Sequence, residues 1–243
     1  MTAASAQCAA AEPLQHALPV VHTRQVGSWD CGLACANMVL RAFAVPAADS
    51  ADLYNCKTRS IWTVDLAHML AAHDLHVCLC TRFVGANPGY SNECFYRTHM
   101  SADRVRVERL FRKAEDAGIV VRQTRVPWQS LRDVLVGRCH LIVLLVDKWR
   151  LQDSAGCCCG LVEPCYMGHY LVLSSFNADR GVFVVHDPAC SADYRCMDPG
   201  SLDRARCCFG TDEDLLIVSR SKSACSTTSE RSCQEALEGD VRD

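Results

Sequence analysis

The spacing of apolar residues changes along this chain, and that change sets the fold class. From Cys31 to Phe43, Ala34, Cys35, Met38, Val39 and Ala42 recur at helical spacing, with Asp30 or Ser28 placed to cap. Thr63 opens a second helix with Leu66, Met69 and Leu70 on its buried face. Asp103 to Ala117 reads as a third, carrying Val107, Leu110, Phe111 and Ala114 on one side, and Trp128 to Val136 as a short fourth after Pro127. Leu75 to Phe83 and Ile119 to Val126 are strand-like. Beyond residue 140 strands take over: His140 to Val146, Tyr170 to Phe176, Val182 to Val185 and Asp214 to Ser219. Helices first and strands later predict an α+β fold, with N-terminal helices packed on a mostly antiparallel sheet.

Residues 1–17 are small and polar, and residues 221–243 are rich in Ser, Thr and charge; both are expected to be disordered. The folded part is then a single domain over 18–220, without internal repeats. Eighteen cysteines would mark a disulfide framework in a secreted chain. The first residues lack the basic and leucine-rich regions of a signal peptide. The longest apolar run, Leu141 to Val146, is too short to span a bilayer. The expectation is a cytoplasmic protein with mostly free thiols, a nuclear location staying open. A net charge of −3 predicts neither nucleic-acid nor membrane partners.

Three segments carry chemistry. In Gln25-Val-Gly-Ser-Trp-Asp-Cys31-Gly-Leu-Ala-Cys35, Cys31 stands at a helix N-terminus, where the macrodipole favours the reactive thiolate. Gly32 is read as room for a substrate backbone. The Cys31 backbone N–H and the Gln25 amide are candidate donors to an oxyanion. In Gly168-His169-Tyr-Leu-Val-Leu, His169 opens a strand and is placed to act as general base. In His186-Asp187-Pro188-Ala189, Asp187 ends the next strand, and a hairpin turn over Asn177 to Gly181 brings it toward His169 as orienting carboxylate. Taken singly, each residue has a plainer reading: a buried thiol, an edge histidine, a turn aspartate. Their joint order predicts a papain-like Cys-His-Asp site.

These residues resemble the peptidase domains that cleave double-glycine leaders in bacteriocin exporters. More specifically, Trp29-Asp-Cys-Gly-Leu-Ala-Cys35, Thr58-Arg-Ser-Ile-Trp-Thr-Val-Asp-Leu66, Phe95-Tyr-Arg97 and Gly210-Thr-Asp-Glu-Asp-Leu215 resemble the eukaryotic guanylyl cyclase domain-containing protein family. The resemblance runs from about Pro19 to Val218. It implies a papain-like fold and carries a guanylyl cyclase name. Family members can have Asn at the position of Asp187, and the cysteine-rich loop 148–167 does not align residue by residue.

The chain has no Walker-type loop or glycine cluster before a helix, so the cyclase reading rests on the resemblance. The expected function is a thiol hydrolase acting on a peptide, isopeptide or amide bond. The alternatives are conversion of GTP to cyclic GMP, or a non-catalytic binding protein on the same fold. No cofactor is expected, a divalent metal entering only with the cyclase reading, and the expected partner is a peptide or protein substrate. Asp212, Glu213 and Asp214 could hold a metal but are read as a solvated turn. Cys157, Cys158, Cys159, Cys165, Cys190, Cys196, Cys207 and Cys208 lack a pair of C-x₂-C motifs, so no zinc site is expected. Arg59, Trp62 and Asp65 either line a substrate groove or, for Trp62 and Asp65, pack and support a helix start.

Overall fold

A computed structural model describes residues 18–45, 58–151 and 165–220. The two tails, 1–17 and 221–243, and Cys157 to Cys159 lie outside the described residues. Seven strands form one sheet: β1 (Leu75–Thr81), β2 (Ile119–Gln123), β3 (His140–Asp147), β4 (Gly168–Asn177), β5 (Val182–His186), β6 (Arg195–Met197) and β7 (Leu215–Arg220). Their order is β2-β1-β7-β3-β4-β5-β6. Among the described residues only β1 and β2 pair in parallel; every other neighbouring pair is antiparallel. The helices are α1 (Cys31–Ala42), α2 (Thr63–Ala71), α3 (Cys94–Arg97), α4 (Met100–Arg112), α5 (Trp128–Val136) and α6 (Pro199–Arg206). The fold is mixed α and β, as the change of periodicity predicts.

Helices cover both faces of the sheet, so the central strands are apolar on both sides. On β3, Leu141, Val143 and Leu145 join the core under α1 and α2, while Ile142, Leu144 and Val146 join the opposite core under α5 and α6. Strand β7 divides the same way, Leu216 and Val218 against Leu215 and Ile217. This explains why β3 reads as one continuous apolar run.

Three local expectations are corrected. The helix expected over Asp103 to Ala117 is Met100–Arg112. Neither Ser28 nor Asp30 caps α1: Asp30 is the N-cap residue but makes no side-chain cap bond. Its carboxylate instead accepts from the Val26 and Gly27 N–H groups, at 2.9 and 2.8 Å, and so folds the preceding loop. Residues 188–213 hold β6 and α6, neither anticipated. The signal for α6 was in the sequence: Asp198 caps through Ser201 N at 2.9 Å, and Pro199 occupies the first turn.

Candidate active site

Strand β4 is the frame of the site. Its second residue is His169, and the hairpin through Asn177 to Gly181 returns the chain as β5, with Val172 opposite His186. Asp187 follows immediately and turns back to the imidazole: His169 Nε2 lies 2.7 Å from Asp187 Oδ1. The same carboxylate oxygen accepts the Ala189 N–H at 2.9 Å, and the other pairs with Arg195 on β6 at 3.2 Å. Helix α1 packs across β4 and brings the Cys31 thiol near enough to the His169 ring for the two to interact electrostatically. Cys31, His169 and Asp187 thus meet in the interior, only 7%, 2% and 5% exposed.

The electrostatics of the site pull the His169 ring in opposite directions. Burial lowers the His169 pKa, but Asp187 and Cys31 outweigh it and the net shift is upward. Burial raises the Asp187 pKa, yet His169, the Ala189 N–H and Arg195 bring it down to about 2. Cys35, one turn along α1, is fully buried and its pKa is pushed well up by desolvation and by Cys31. Of the two α1 thiols, Cys31 alone faces the imidazole. His186 is engaged elsewhere, Nδ1 with Asp193 O at 2.7 Å and Nε2 with Ser174 Oγ at 2.9 Å. Asn177 serves its turn by accepting from Arg180 N.

Gln25 and Gly32 differ from expectation. The Gln25 backbone N–H bonds to Pro188 O at 3.0 Å, which ties the loop before Cys31 to the loop after Asp187. Its amide nitrogen donates to Gly27 O at 2.6 Å, and its Oε1 is buried without a partner. Gly32 makes room for packing rather than for substrate: a Cβ there would sit 3.0 Å from the Tyr170 ring and 3.1 Å from Leu66.

A cavity of about 260 Å³ opens beside Cys31. Four segments far apart in sequence converge on it: Trp29 with Cys31, Arg59 to Thr63, Phe95 with Tyr96, and Thr211 to Asp214. Gly168, Tyr170 and Leu145 form its sheet side. Arg59 and Trp62 line it, whereas Asp65 supports the α2 start, accepting Trp62 N–H at 2.8 Å and pairing with Arg106. The solvated turn expected at Asp212 to Asp214 is overturned. Positive φ at Asp212 and Glu213 (48° and 53°) folds the loop inward, so that Asp212 and Asp214 face the cavity while Glu213 pairs with Arg125. Asp212 Oδ1 accepts from Asn87 Nδ2 at 2.7 Å and Tyr90 OH at 2.6 Å. Burial, helped by the Asp212 charge and opposed by the Thr63 and Thr81 hydroxyls, pushes the Asp214 carboxyl up to about 7. Three adjacent acidic residues before a strand carry no mark in the sequence of such an inward turn.

Among the described residues, no three Cys, His, Asp or Glu side chains come together to hold a metal ion, and no helix is long and apolar enough to cross a membrane. Cys165, Cys190, Cys207 and Cys208 carry free thiols.

A family model described as guanylylate cyclase matches residues 20–218. A relative named "Guanylyl cyclase 1", from Arabidopsis thaliana, is 40% identical over 212 residues, covering 85% of this chain and 77% of the relative. The segments meeting around Cys31 and the cavity thus lie within a match over nearly all of the described residues, and the chain belongs to the guanylylate cyclase family.

Proposed function

We propose that this protein is a thiol hydrolase on a papain-like fold, acting on a peptide, isopeptide or amide bond of a peptide or protein substrate. The observation that carries the reading is the His169 ring paired with the Asp187 carboxylate and interacting electrostatically with the Cys31 thiol. In this mechanism Asp187 orients the ring through Nε2, leaving Nδ1 for the thiol. His169 takes the thiol proton as Cys31 Sγ attacks the acyl carbon. The Cys31 N–H, joined by the Gln25 amide once it turns from Gly27 O, receives the oxyanion. The imidazolium then protonates the leaving amine, and water attacks the resulting thioester with His169 again as base. The cavity receives the substrate, no cofactor takes part, and the setting is cytoplasmic. The test is labelling by an electrophilic acyl probe. Wild type should be labelled at Cys31, with loss in Cys31→Ala and strong slowing in His169→Ala; equal labelling of all three would sink the proposal.

A second reading is conversion of GTP to cyclic GMP, favoured by the relative's name and by Asp212 and Asp214 sharing the cavity with Arg59. It requires charge clamps and a divalent ion but no thiolate. Cyclase activity that is metal-dependent and survives Cys31→Ser would favour it. Activity lost in a folded Cys31→Ser protein would place both reactions at the same thiol.

A further inference from the structure

Two thiols at the edge of the cavity stand apart from the Cys31–His169 pair. Cys94 begins α3, directly before the cavity residues Phe95 and Tyr96. Cys165 lies three residues before Gly168, where β4 starts. Their sulfurs are 3.6 Å apart and both residues are exposed. The backbones behind them are already held together: Tyr166 stacks on Tyr96 at 5.6 Å and meets Phe95 edge-on at 5.4 Å. A disulfide needs a sulfur separation of ~2.05 Å, so closure asks the two side chains to approach by roughly 1.5 Å. The neighbouring thiol pushes the Cys165 pKa up, as expected for a pair sharing a proton.

Proximity alone does not single out this pair. The sulfurs of Cys78 and Cys80 are 3.9 Å apart, but Cys80 is fully buried and both stand on β1. Two rises along a strand place their Cα atoms at ~6.6 Å, near the upper limit for a disulfide. Cys94 and Cys165 come from different segments, so no strand repeat fixes the separation of their backbones, and both face oxidants.

We propose that Cys94 and Cys165 form a reversible disulfide that clasps the Phe95–Tyr96 wall of the cavity to the segment leading into β4. With hydrogen peroxide as oxidant, one thiolate attacks a peroxide oxygen and the O–O bond breaks, giving a sulfenic acid and a hydroxide that is protonated to water. The second thiolate attacks that sulfur, the S–S bond forms and hydroxide leaves, to be protonated to water. Two thiols and one peroxide give one disulfide and two waters. A thiol reductant reverses the change. The clasp restricts opening of the wall and so slows entry to Cys31, whether or not Cys31 is catalytic.

The test uses the full chain, reduced, freed of reductant and treated with one equivalent of hydrogen peroxide. Remaining thiols are blocked with N-ethylmaleimide, and peptides are mapped without reduction. The expected result is a linked Cys94–Cys165 peptide pair, with Cys78 and Cys80 unlinked, and a thermal midpoint raised by several degrees in wild type but in neither Cys94→Ser nor Cys165→Ser. Alkylation of Cys31 by a bulky maleimide should slow several-fold in oxidised wild type relative to peroxide-treated Cys94→Ser. The proposal is overturned if Cys94 and Cys165 stay alkylatable, if either pairs with another cysteine instead, or if the purified protein holds stoichiometric zinc lost in both variants. A linked pair with unchanged Cys31 alkylation would overturn the clasp.

Discussion

His169 Nε2 and Asp187 Oδ1 lie 2.7 Å apart, both side chains almost wholly sealed from solvent. Eighteen positions separate them, and the β4–β5 hairpin closes the distance. Without the ring the buried carboxylate would keep only Arg195 and the Ala189 N–H as partners, and a ring without the carboxylate would lose the group that fixes its tautomer.

Replacing Asp187 therefore tests orientation apart from charge. Asp187→Asn retains a hydrogen-bonding side chain and should keep Cys31 alkylation within a few-fold of wild type. Asp187→Ala should slow it by about tenfold or more and flatten its pH profile near neutrality. Rate–pH profiles of iodoacetamide labelling measure both; an unchanged profile in Asp187→Ala would falsify the orienting role.

Among the free thiols, Cys31 should react fastest with limiting iodoacetamide at neutral pH, because the ring beside it can accept its proton. Mass-spectrometric mapping over time gives the order. Faster reaction at the exposed Cys94 or Cys165 would show that access outweighs activation.

Two carboxyl groups make opposite contributions to acid and base stability. Asp187 titrates near 2 in the folded chain, below its unfolded value, so its contribution is present above about pH 4 and is lost as pH falls toward 2. Asp214 titrates near 7, above its unfolded value, so the folded state loses stability as pH rises from about 4 to 7. Asp214→Asn should accordingly raise the thermal midpoint at pH 8 by several degrees and change it far less at pH 4. Thermal unfolding across that range decides; a uniform shift at all pH values would show that packing dominates.

Two glycines should differ in what an added methyl costs. At Gly32 the nearest atoms are side-chain carbons of Tyr170 and Leu66, at 3.0 and 3.1 Å, which can move slightly. Gly32→Ala should cost about 1–3 kcal/mol. At Gly210 a Cβ would lie 2.6 Å from the Tyr166 ring, and φ is +100°, so Gly210→Ala should cost more. Urea unfolding of both variants gives the comparison, and an equal cost would contradict the packing argument.

Much of the sheet was legible because a central strand buried on both faces must be apolar throughout, as Leu141 to Val146 are. Helix α5 was legible to the residue because Pro127 and Gly137 bracket it. The order Cys31, His169, Asp187 was legible because a helix start, a strand start and a strand end each leave a mark in local sequence. What only the tertiary structure decided are relations no local pattern encodes. Whether Gly32 admits substrate or a neighbouring ring depends on Tyr170, from a strand more than a hundred residues away. Whether Asp214 meets water or a cavity depends on two consecutive left-handed residues turning its loop inward. Periodicity and capping express short-range geometry, so the sequence by itself determined most of the elements and where Cys31, His169 and Asp187 stand on them. Enclosure and desolvation are sums over distant neighbours, so they became definite only when the sheet brought those neighbours together.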